Sequence, residues 1–182
     1  WIPFSFSEGY SYQSGSISFQ NKEYSQNEYF LYLNPLVNYN FSGKTYFVGD
    51  GLNESDYKML NSSFNKNAVI VIDINFSDTC DNATDQKYLP LLEKAVAKAT
   101  FINPEAVILV SSDVKKFPAI ASINLDQARP NIPVICTGKT LSKKILKSSN
   151  SDIQSKCEFS KNEKTGYNVA AWINNGKQST IV

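Results

Sequence analysis

A chain of 182 residues with 42% apolar, 13% aromatic and 19% charged side chains has the make-up of one folded, β-leaning domain, and excludes a disordered chain. Its formal net charge of +1 provides no broad positive field for nucleic acid or an anionic membrane, and no apolar run approaches the roughly 20 residues of a membrane span. The chain contains no histidine, so it cannot assemble a Ser-His-Asp or Cys-His nucleophile or the common zinc sites.

Taken in order, residues 1–12 place Phe4, Phe6, Tyr10 and Tyr12 on alternate positions and predict an extended, partly packed arm. Ile17 and Phe19, the polar Gln20, Asn21 and Lys22, and then Tyr24 predict a hairpin. Residues 29–46 continue in β character, with a strand edge or break at Pro35 and a turn at Ser42 and Gly43. TYFVGDG, residues 45–51, predicts a short strand closed by Gly49 and Gly51. A GxG pair lets backbone amides approach an anion, but no third glycine or Lys-Ser/Thr pair follows, and Asp50 would repel phosphate. Residues 56–64 predict a helical turn with Tyr57, Leu60 and Phe64 on one face.

AVIVIDI, residues 68–74, is a nearly unbroken β-branched run of the kind expected of a strand covered on both faces. Asp73, Asp78, Asp81 and Asp85 follow with carboxylates that suit a hard cation, but their spacing matches no calcium loop. Thr84 or Asp85 caps a predicted helix over residues 86–101, with Pro90 tolerated in the first turn. Tyr88, Leu91, Leu92, Ala95, Val96 and Ala99 form its apolar face. Asn103 and Pro104 end it, and residues 106–111 predict a second buried strand, parallel to the first because a helix crosses between them. Residues 115–130 predict a long loop, IPVIC at 132–136 a third short strand, and residues 140–147 a helix capped by Thr140. Leu141, Ile145 and Leu146 form the apolar face of that helix, and Lys139, Lys143, Lys144 and Lys147 a solvated basic face. The tail, TGYNVAAWINNGKQSTIV, predicts a strand, a polar turn at Asn174, Asn175 and Gly176, and a second strand at residues 179–182. A strand interrupted there predicts a piece of a longer protein.

Cys136 lies in an apolar run and reads as a buried thiol. Cys80 and Cys157 read as lying in polar loops, with a disulfide between them left open. Asn-x-Ser/Thr triplets begin at Asn40, Asn53, Asn61, Asn75 and Asn82; such triplets also arise by chance in an asparagine-rich chain.

The succession TYFVGDG, KNAVIVIDI, KAVAKATFINPEAVILVS and IPVICTGKTLSKKIL resembles the protease-associated domain, a β-rich domain inserted in or appended to exopeptidases and subtilisin-like proteases. Where that family commonly turns out of its helix with a Gly-Ala pair, this chain has Asn103, Pro104, Glu105 and Ala106. TGYNVAAWINNGKQSTIV in turn looks like the opening strands of the M28-type zinc aminopeptidase domain, whose first metal-binding His-x-Asp would lie beyond Val182.

The resemblance implies an α/β, mixed and β-rich fold: a protease-associated sheet or open barrel with two flanking helices, plus an incomplete C-terminal hairpin. It implies an arm at 1–15, a protease-associated domain at 16–150 and the truncated start of a peptidase domain at 151–182. The function it implies is that of a non-catalytic accessory domain of a secreted, periplasmic or cell-surface M28 aminopeptidase. No catalytic, cofactor or metal residue is carried over to this chain; zinc is expected in the missing peptidase domain. The expected partners are that peptidase domain and a peptide substrate.

Two other readings follow from the residues. Tyrosines between Tyr10 and Tyr39 would suit a peptide- or carbohydrate-binding module. Asp50, Glu54, Asp56, Asp73, Asp78 and Asp81 would supply a carboxylate-only enzyme, although no spacing selects a pair.

Overall fold

The computed structural model describes residues 2–25, 29–33, 38–61, 67–75, 88–111, 131–148, 150–168, 172–174 and 179–181. Its strands are β1 (Ile2–Phe19), β2 (Lys22–Ser25), β3 (Phe30–Tyr32), β4 (Tyr39–Phe47), β5 (Ala68–Asp73), β6 (Ala106–Val110), β7 (Val134–Thr137), β8 (Asp152–Asn168), β9 (Trp172–Asn174) and β10 (Ser179–Ile181). Among the described residues the helices are α1 (Lys58–Asn61), α2 (Tyr88–Phe101) and α3 (Lys139–Lys147), with a 3-10 turn at Glu54–Tyr57 leading into α1. The fold is α/β, mixed and β-rich, as expected.

Eight strands form one sheet in the order β2-β1-β8-β4-β5-β6-β7-β3. β4, β5, β6 and β7 run parallel, and β1, β2, β3 and β8 pair antiparallel with their neighbours. β2 and β3 stand at opposite ends of this order, yet only residues 26–29 separate them in the chain. Five Cα steps reach at most about 19 Å, whereas seven interstrand gaps in a flat sheet span about 34 Å. The sheet must therefore curl until its edges approach, and Tyr29 N donates to Ser25 O at 3.2 Å across that connection.

Side-chain alternation on the central strands divides the core into two layers. Ile70, Ile72, Val107, Leu109, Val134 and Cys136 face Leu92, Ala95, Val96 and Ala99 of α2. Val69, Val71, Ala106, Ile108, Val110 and Ile135 face the other way, toward Leu141 and Ile145 of α3 and the inner side chains of β1, β2, β4 and β8. AVIVID and AVILV have no polar face because both of their faces are covered.

β8 lies between β1 and β4, so the sheet draws on residues from both sides of positions 15 and 150. The pairing of β1 with β8 runs from Ile2↔Asn168 to Phe19↔Ile153, with irregularities between Ser7 and Gly9 and between Tyr12 and Ser14. β9 and β10 form a separate antiparallel pair.

Several local expectations need correction. Ser42 and Gly43 make no turn, because β4 runs straight through them. Gly43 is required by close packing: a Cβ there would collide with Asn67 O. The N-cap of α3 is Gly138, and Thr140 lies within the first turn. Cys157 is buried on β8, where alternation along the strand carries it into the core. The expectations at Pro35, Phe64, Cys80 and the loop 115–130 lie outside the described residues.

Other expectations hold. The hairpin at Gln20 and Asn21 forms with φ values of 51° and 58°, as a two-residue primed turn requires. Asn103, at φ 59°, ends α2 in the left-handed conformation. Pro90 occupies the first turn of α2, and β5 and β6 are parallel.

Candidate functional site

The four parallel strands bring their carboxyl ends to one rim, where open α/β sheets commonly bind ligands. Gly49, Asp50 and Gly51 leave β4 there, Asp73 and Asn75 leave β5, Ser111 leaves β6, and Thr137 and Gly138 lead from β7 into α3. The glycines adopt φ values of 61° and 70°. The turn they build is closed by Asp50, whose Oδ1 accepts from Leu52 N at 2.9 Å, so a carboxylate occupies the place where an anion would need amides.

A polar chain crosses the rim. Asp73 Oδ1 accepts from Asn75 N at 3.0 Å and from Asn75 Nδ2 at 2.7 Å. Asn75 Oδ1 accepts from Ser111 Oγ at 2.9 Å, and Ser111 N donates to Ser142 Oγ at 3.1 Å. Ser142 and Thr137 lie 2.8 Å apart through their hydroxyls, with Leu109 O and Thr137 O as further acceptors at 3.1 and 3.0 Å. Each hydroxyl carries one proton, and both are directed to partners within the network. The rim is thus a clamp between β5, β6, β7 and α3.

Among the described residues, Asp50 and Asp56 both lie near Tyr57, and of the carboxylates singled out in the sequence Asp50, Asp56 and Asp73 are engaged in local turns. Asp50 and Asp73 close local turns, and Asp56 Oδ2 accepts from Asn53 N at 3.1 Å. Asp78, Asp81 and Asp85 lie outside the described residues. Among the described residues, no group of three or more Cys, Asp or Glu side chains could hold a metal ion.

A cavity of about 500 Å³ lies between the 3-10 turn and the end of α2, lined by Glu54, Tyr57, Lys58, Lys98, Phe101 and Ile102. Lys98 Nζ donates to Leu52 O at 2.7 Å, binding helix to loop. Phe101 is 74% exposed at its mouth. Tyr57 donates to Gly51 O at 3.0 Å, and burial, reinforced by the charges of Asp56 and Asp50, raises its hydroxyl pKa above the ordinary value. Tyr57 therefore stays protonated and serves as a structural donor. A second, polar cleft of about 430 Å³ lies by the β1–β2 turn, with Gln20, Asn21, Asn150 and Asp152 in its lining.

The aromatic platform is not borne out at the tyrosines whose side chains are described. Tyr24 and Tyr39 are buried in the core, and Tyr29 is half-buried with its ring edge-on to Tyr24, the centroids 5.3 Å apart. The basic face of α3 is also incomplete: Lys144 is half-buried and donates to Tyr24 Oη at 2.8 Å, with its ammonium 5.3 Å from the ring centre. Sequence reasoning missed both this contact and the Asn75–Ser111–Ser142 chain, since both join segments distant along the chain. The local signal for the rim was a set of small polar residues at the ends of apolar runs.

No family model and no curated protein matches the chain. Among solved structures, it is similar to the psychrophilic subtilisin-like protease Apa1 from the Antarctic psychrotroph Pseudoalteromonas sp. AS-11, at 9% identity and a TM-score of 0.45. That match covers 85% of this chain and 35% of the protease chain.

Proposed function

We propose that this chain is a non-catalytic accessory domain of protease-associated type, belonging to an exported peptidase whose M28-type domain carries the zinc and the catalytic residues. The observation that carries this reading is the arrangement of the resembling segments. TYFVGDG, AVIVIDI, AVILVS and IPVIC lie side by side through β4, β5, β6 and β7, with α2 on one face and α3 on the other. The lack of histidine supports it, as does the local engagement of Asp50, Asp56 and Asp73. In this role the domain flanks the active site of its own peptidase domain and influences which peptides reach it.

Recombinant chain incubated with zinc and aminoacyl chromogenic substrates is expected to show no turnover, and turnover that depends on zinc would overturn the non-catalytic assignment. Reading the parent gene beyond Val182 tests the peptidase assignment: a His-x-Asp within about thirty codons supports it, and its absence removes it.

A further inference from the structure

The Asn-x-Ser/Thr triplets occupy very different surroundings. On β4 the side chains of Asn40 and Ser42 share the exposed face, while the intervening Phe41 is buried. The cross-strand neighbour of Asn40 is Lys156, which is also exposed. The Nδ2 of Asn40 and the hydroxyl at the third position thus face solvent together, as side chains two apart on a strand must. Asn53, Glu54 and Ser55 are all exposed. Asn53 is tied to its turn through the backbone, its N–H donating to Asp56 Oδ2 at 3.1 Å and its carbonyl accepting from Asp56 N at 3.2 Å. Asn75 differs: both ends of its amide are committed, Nδ2 to Asp73 at 2.7 Å and Oδ1 to Ser111 at 2.9 Å. The side chain of Asn61, and Asn82 altogether, lie outside the described residues.

We propose that Asn40 and Asn53 carry N-linked glycans and that Asn75 does not. The inference rests on the export proposed above, since the sugar donor is met in a secretory compartment. In the transfer, Nδ2 of the asparagine attacks the anomeric carbon of a lipid-diphosphate-linked oligosaccharide. A C–N bond forms, the anomeric C–O bond breaks, the lipid diphosphate leaves, and the amide proton passes to a base of the transferase. A hydrated oligosaccharide on the exposed side chain of Asn40 displaces no contact of the fold, and on Asn53 it takes an Nδ2 hydrogen while the side-chain oxygen remains to cap the N–H of Asp56. At Asn75 it would replace one of the two Nδ2 hydrogens inside the rim network and crowd a partly buried amide already held by Asp73 and Ser111. The two glycans would lie on the outer face of the sheet and beside the cavity at Glu54. The exposed Lys139, Lys143 and Lys147 of α3 belong to no triplet, which leaves that face bare.

The full chain, directed into the secretory pathway of a eukaryotic cell by an added leader, is treated with an amidase that removes N-glycans and mapped site by site by mass spectrometry. The expected result is glycan on most copies at Asn40 and Asn53 and on fewer than one in ten folded copies at Asn75. Ser42→Ala and Ser55→Ala are each expected to remove one glycan; Ser42→Ala leaves the melting temperature of the deglycosylated protein unchanged, and Ser55→Ala loses only an exposed 3.5 Å hydrogen bond to Asp56. Bare Asn40 and Asn53 in the folded, secreted chain, or Asn75 occupied as fully as they are, would overturn the proposal. Protein from its natural source that is bare at both positions, beside an occupied secreted chain, would overturn the proposal for the native protein and show only that both side chains are accessible to the transferase.

Discussion

Gly49 and Gly51 sit two residues apart with similar positive φ values, and the structure separates their roles. A Cβ at Gly49 would meet nothing within 4 Å, whereas at Gly51 it would lie 2.8 Å from Tyr57 Oη. Gly49→Ala is therefore expected to cost only the conformational term, about 1 kcal/mol. Gly51→Ala adds a collision with a buried hydroxyl, for a total of about 2 kcal/mol or more. Equal urea-unfolding losses for the two variants would refute the distinction.

Cys136 gives a second test at the residue scale, because burial pushes its thiol up to about 12. In the unfolded chain the thiol titrates near about 8.5. Between those values the unfolded state has released a proton that the native state keeps, so stability is complete below about 8.5 and falls as pH rises toward 12. Tyr57, also raised, acts in the same direction. The urea midpoint should fall across this window less steeply in Cys136→Val than in the wild type. Since the thiolate is the reactive form, iodoacetamide should leave Cys136 unlabelled in the folded protein at neutral pH and modify it in denaturant.

Among the elements, α3 shows how a helix read as amphipathic acquires a specific seat. Leu141 and Ile145 bury its apolar face, Ser142 fastens its first turn to β6 and β7, and Lys144 reaches across to β2. Because Lys144 and Tyr24 are joined by a hydrogen bond and by the ring, Lys144→Met and Tyr24→Phe should each destabilise by about 1 kcal/mol. In the double variant their effects should fall short of additive by about 0.5 kcal/mol or more. Strict additivity, measured by chemical denaturation, would show that the contact contributes nothing.

Among the described residues, the curled sheet has a covered centre and a two-stranded ribbon. β5 and β6 are sandwiched between two core layers, whereas among the described residues the stretch from Ile2↔Asn168 to Tyr12↔Phe159 pairs as a ladder of two strands. Two strands alone are marginal in water. Amide hydrogen exchange should accordingly be slowest in β5 and β6 and faster by orders of magnitude in residues 2–12 and 161–168. Protection of the ribbon equal to that of β5 would mean that another surface covers it.

The local elements were largely legible because their causes are local. The β-branched runs at 68–73 and 106–110, the three- and four-residue spacing of Leu92, Ala95, Val96 and Ala99, and the polar pair Gln20 and Asn21 each dictate their own conformation. The parallel relation of β5 and β6 was equally readable, since a helix lies between them. Long-range packing was not legible. Gly43 looks like a turn until Asn67 is placed against it, Cys157 looks exposed until β8 joins β1 and β4, and Lys144 looks solvated until Tyr24 arrives beneath it. Nor does the order of letters reveal that Asn75, Ser111 and Ser142 form one chain. The sequence by itself determined which segments fold and which faces they hide. Tertiary structure alone decided the curl of the sheet, the partners of its polar groups and which asparagines remain open to solvent, because those depend on contacts between segments that sequence spacing does not encode.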